Sequence, residues 1–143
     1  MPIVVPNTSE VLMLQFIVNM IGTDGLTAPT GGKRLLRVFT SNTTPNATTA
    51  LTDLTEATTP TGYAPITLPG SSWTTVITNG GGLAVYSEQT FTFTTGVTLY
   101  GYYVTTIEAS PRLLWMERFT NAPFLLPDGG GQIGVTPTFS MNN

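Results

Sequence analysis

Apolar and polar positions change rhythm once along the chain. From Val11 to Ile21 nearly every position is apolar, interrupted only by Gln15 and Asn19. Asn7 stands where a helix N-cap belongs, and Glu10 follows three residues later as its capping-box partner. Gly22 comes just after the last apolar residue, where a left-handed C-cap fits. The pattern predicts a helix over 8–21. Thr8, Gln15 and Asn19 give it only a thin polar stripe, so it must be covered on most sides, by a sheet of its own domain or in part by a neighbouring subunit. Ahead of it, residues 1–6 hold Pro2-Ile3-Val4-Val5-Pro6, an extended apolar arm that cannot continue the helix backwards through Pro6.

From Lys33 onward the period becomes two. Strands are expected at 33–40, 63–68, 73–78, 83–87, 90–94, 97–107, 112–119 and 132–141. The clearest is 90–94, with Phe91 and Phe93 on one face and Thr90, Thr92 and Thr94 on the other. Asn79-Gly80-Gly81-Gly82 is a hairpin signal. Pro65 and Pro137 mark edges or bulges. Between the first two strands, 41–61 is a long Thr/Asn/Pro loop anchored by Leu51 and Leu54, with a short turn near 53–57. The expected architecture is mainly β: one β-sandwich or jelly-roll-like domain spanning 1–143, with about eight strands over 33–141 and one N-terminal α-helix. Phe39, Phe91, Phe93, Leu113, Trp115 and Phe119 alternate with polar neighbours and are the expected core.

Composition sharpens this picture mainly by exclusion. Of 143 residues only 13 are charged, 5 basic and 8 acidic, which is 9%, against about 25% in an ordinary soluble domain. Thr alone contributes 28 residues, close to a fifth of the chain. Cys and His are both absent. That removes disulfides, thiol nucleophiles, Cys/His zinc sites and imidazole chemistry. Five scattered basic residues and a net charge of −3 cannot form a nucleic-acid footprint. The run 11–21 is shorter than the ~20 residues a bilayer needs, and no basic residue precedes Lys33 to open a secretory signal. Neither nucleic acid nor membrane is therefore expected as a partner. The three Asn-x-Ser/Thr sites, at Asn7, Asn42 and Asn46, read as ordinary Asn/Thr loops. A neutral surface rich in small hydrogen-bonding groups is common where much of a surface meets another subunit, as in adhesins and virion shells. The plainer reading is that exposed Thr reflects strand propensity.

Candidate chemistry is thin. The carboxylates are Glu10, Asp24, Asp53, Glu56, Glu88, Glu108, Glu117 and Asp128. Asp53 and Glu56 are three apart, but in a Thr-rich loop, and nothing sets two acids face to face as a glycosidase requires. Glu117 is expected to pair with an arginine such as Arg37, Arg112 or Arg118. Thr23-Asp24-Gly25 and 127–131 hold one acid each, too few for a calcium loop, and Asp-Gly is first a turn dipeptide. Trp73, Tyr86, Tyr100, Tyr102, Tyr103 and Trp115 are candidates for stacking on sugars, although at period two half of them must be core. No catalytic, cofactor or metal site is expected, and the chain does not read as an enzyme.

Several segments together carry a resemblance. LLRVFTSNTTP (35–45), DLTEATTPTGYA (53–64), QTFTFTTGVTLYGYYV (89–104) and LLWMERF (113–119) are followed by an apolar segment and a final Val135-Thr136-Pro137-Thr138 strand. Their order resembles a group of small β-rich structural proteins of tailed bacteriophages, of the capsid decoration or cement kind. The resemblance implies a virion protein on the capsid surface, made in the host bacterial cytoplasm, where disulfides are not available as staples. Its implied partners are the major capsid protein and further copies of itself, a trimer being one form of such a homo-oligomer. The alternative is a tail, neck or fibre module that binds a host glycan or another virion protein. Energetics suggest the contact residues. Left in water, each of Ile3, Val4 and Val5 forfeits about 1.5–3 kcal/mol relative to full burial. The arm, together with Leu12 and Phe16 of the helix, and the 41–61 loop are therefore expected to meet other subunits or the shell. The arm read as the first strand of the sandwich is the competing expectation.

Overall fold

The computed structural model describes residues 17, 33–58, 61–78, 81–107 and 109–142, the side chains of 141 and 142 excepted. The arm over 1–6 and nearly all of the helix over 8–21 lie outside these residues; Ile17, within the latter, is helical. The fold is mainly β. Eleven strands are described: β1 (Lys33–Phe39), β2 (Ile66–Pro69), β3 (Thr74–Thr78), β4 (Gly81–Val85), β5 (Gln89–Phe93), β6 (Val97–Leu99), β7 (Gly101–Thr106), β8 (Leu113–Arg118), β9 (Phe124–Leu126), β10 (Gly131–Val135) and β11 (Thr138–Asn142). They form sheets ordered β2-β1-β7-β8, β11-β4-β3, β10-β5 and β6-β9. Among the described residues no helix is long and apolar enough to cross a membrane.

The strand positions follow the period-two pattern, with three corrections. The run 97–107 is two strands, because β6 pairs with β9 while β7 pairs with β8. The run 132–141 is also two strands, β10 against β5 and β11 against β4. Pro137 lies in the break between them rather than inside a strand. The short β9 carries no alternation to announce it. At the predicted hairpin, β3 and β4 pair antiparallel from Thr74↔Val85 to Thr78↔Gly81.

The chain divides into two compact units. One comprises Met1–Arg34, Leu68–Glu88 and Thr136–Asn143. Its three-stranded sheet is β11-β4-β3. Trp73 and Tyr86 meet edge to face there with ring centroids 5.1 Å apart, and Leu68 and Ala84 are fully buried. Arg34 is also wholly buried, an uncommon place for a guanidinium. It is held by the carbonyl of Ile17, which accepts from Nε at 3.2 Å and Nη2 at 2.7 Å, and by that of Lys33, which accepts from Nη1 at 2.9 Å.

The other unit comprises Leu35–Thr67 and Gln89–Val135. Every residue of β7, GYYVTT, is buried. Phe39, Leu54 and Tyr103 form a core cluster against which Leu51, Tyr100, Leu113 and Met116 pack. A second aromatic group stacks Tyr63 on Phe91 and Phe93, with centroids 5.6 and 6.0 Å apart. Phe39, Phe91 and Phe93 are buried as the alternation predicts. Leu113 and Trp115 of β8, the outermost strand of its sheet, are only half-buried, as is Phe119 just after it. Gly130 takes a left-handed φ of 79° and its N–H closes the turn onto the Pro127 carbonyl at 2.8 Å, so the Asp-Gly segment serves as a turn between β9 and β10.

Candidate functional site

The long loop after β1 folds back onto its own sheet. Thr40 donates its N–H to the Thr55 carbonyl at 2.7 Å, and Ala57 donates to the Val38 carbonyl at 3.1 Å. An isolated antiparallel bridge joins Phe39 to Glu56. Within the loop, the Asp53 carboxylate accepts from the Ala50 N–H at 2.8 Å, closing a one-turn 3-10 helix over Leu51–Asp53. The hydroxyls of Ser41 and Thr43 both donate to the Asp53 carbonyl, at 3.2 and 2.9 Å. Arg118 of β8 ties the loop from the other side. It donates to the Thr43 carbonyl at 3.0 Å and to Asn42 Oδ1 at 2.8 Å, with its guanidinium 5.0 Å from the centre of the Tyr100 ring. The polar Thr/Asn/Ser composition is therefore what pins this segment, while Leu51 and Leu54 supply its apolar underside.

This return places Glu56 beside Arg37, nineteen residues away in sequence. Arg37 Nη1 and Glu56 Oε2 are 2.5 Å apart, with side chains 19% and 30% exposed. The other carboxylate oxygen, Oε1, accepts from the Tyr63 hydroxyl at 2.8 Å. Both nearby phenols are held protonated well above their usual range. For Tyr63 burial is the main cause, followed by its hydrogen bond to Glu56. For Tyr103 burial again leads, with the Glu56 charge adding to it and the Arg37 charge opposing.

A pocket of about 180 Å³ opens at this network, lined by Arg37, Leu51, Leu54, Glu56, Tyr103, Thr105 and Pro111. Two polar atoms on its lining residues are buried and have no hydrogen-bond partner, Arg37 Nε and Thr105 Oγ1. Thr105 is wholly buried and follows a register shift between Val104 and Thr105, where β8 steps from Trp115 to Leu113.

The predicted residues fare unevenly. Ile3, Val4, Val5, Leu12 and Phe16 lie outside the described residues, as does Asp24. Glu117 does not take the expected arginine. Its Oε2 accepts from the Tyr102 hydroxyl at 2.6 Å, while Arg37 pairs with Glu56 and Arg118 is tied to the loop. Of the aromatics considered for sugar stacking, Trp73, Tyr86, Tyr102 and Tyr103 are buried, and Tyr100 and Trp115 half-buried. Among the described residues the exposed large apolar side chains are instead Val76, Ile77, Phe124 and Leu125. Among the described residues no group of three or more acids is placed to hold a metal ion. The Arg37–Glu56 pairing was missed because its one sequence sign, an acid between Thr55 and Ala57 in a polar loop, names no partner. No family model, no curated protein and no solved structure matches the chain.

Proposed function

We propose that the protein is a structural component of a tailed-phage virion, a capsid decoration protein that binds the outer shell and stabilises contacts between capsomers. The observation that carries this reading is the coexistence of very few charges with uncharged apolar side chains on exposed strands. Only 13 of 143 residues are charged. Val76 and Ile77 on β3 are 42% and 53% exposed, and Phe124 and Leu125 on β9 are 41% and 69% exposed. A free monomer ordinarily keeps its surface mixed-charged and limits exposed apolar residues, so such a surface suits a protein that spends its working life against other subunits. The reading includes a single β-sandwich of jelly-roll type, an N-terminal helix, and self-association. Its contacts to the shell run through Ile3, Val4, Val5, Leu12 and Phe16. It requires no catalyst, cofactor or metal.

Quantifying the protein in purified particles tests the proposal. Hundreds of copies per particle, with density on the outer face of the capsid in electron cryomicroscopy, support it. A handful of copies confined to the tail or neck, or none, overturns it.

A further inference from the structure

We draw no further inference here: the strongest candidate, the surface patch that the exposed side chains of Phe124 and Leu125 form on the short strand β9 between Pro123 and Pro127, carries none because nothing in the structure shows what covers it.

Discussion

A Cβ placed on Gly101 would lie 2.6 Å from the ring of Phe39, and closer still to the carbonyl oxygen of Glu117. Glycine in a strand interior commonly marks such a close approach. Phe39 is fully buried at the centre of the cluster that also holds Leu54 and Tyr103, so its ring has no room to retreat. Gly101→Ala should therefore destabilise the protein by about 1–3 kcal/mol, the usual range for overpacking a core. Urea unfolding measures it, and a change within about 0.5 kcal/mol, typical of surface sites, would show that the strand pair yields easily.

The two phenols facing Glu56 predict a specific alkaline weakness. Tyr63 and Tyr103 are held protonated above their ordinary range near 10 in the folded chain. A raised folded-state pKa means that the folded protein binds more protons than the unfolded one once pH exceeds the unfolded value. The stabilisation is thus intact below about pH 10 and is lost as pH rises beyond it, by up to about 1.4 kcal/mol per pH unit for each phenol. Unfolding free energies between pH 8 and 11 should stay level and then fall. Tyr63→Phe should flatten that fall, and an unchanged profile in this variant would assign the effect to other groups.

These two sites also show where the sequence is informative and where it falls silent. β5 is readable because one face is buried and the other wet: Phe91 and Phe93 are inside, Thr90 and Thr92 outside. β7 is opaque because both its faces are covered, leaving no alternation to count. The split of 97–107 at Tyr100 is a change of pairing partner, from β9 to β8, and pairing partners are a property of the assembled sheet. At Pro137 the break did leave a local sign, a proline without a ladder donor. The candidate site was the least legible part. Arg37 is one of several polar residues in β1, and Glu56 sits in a Thr-rich loop; only the return of that loop over 40–57 makes them neighbours. Glu117 illustrates the converse, since charge matching named arginines for it and a buried tyrosine hydroxyl took the place.

Buried Arg34 carries a prediction about geometry rather than charge. Three of its donor positions reach the Ile17 and Lys33 carbonyls at once. Lysine keeps the charge but offers a compact ammonium that cannot reproduce a planar fork. Arg34→Lys should cost about 1.5–3 kcal/mol, the worth of a hydrogen bond to a charged group. Equal thermal stability of the variant and the native protein would mean that charge alone suffices there.

The attachment reading makes its sharpest prediction at the chain's start. Pro2-Ile3-Val4-Val5-Pro6 carries no charge, and its prolines favour extended backbone. Three apolar side chains in sequence stabilise whatever covers them by about 1.5–3 kcal/mol each when fully buried. If the cover is the capsid or a second subunit, deleting Met1–Pro6 should leave the melting temperature near that of the full chain while particle binding is lost. If the cover is the protein's own sheet, the same deletion should lower the melting temperature, with binding lost only as folding fails. Pelleting the truncated chain with undecorated particles, alongside its thermal unfolding curve, separates the two. A truncated chain that folds normally and still co-sediments like the native one removes the arm from the attachment surface and leaves that role to the exposed strands β3 and β9.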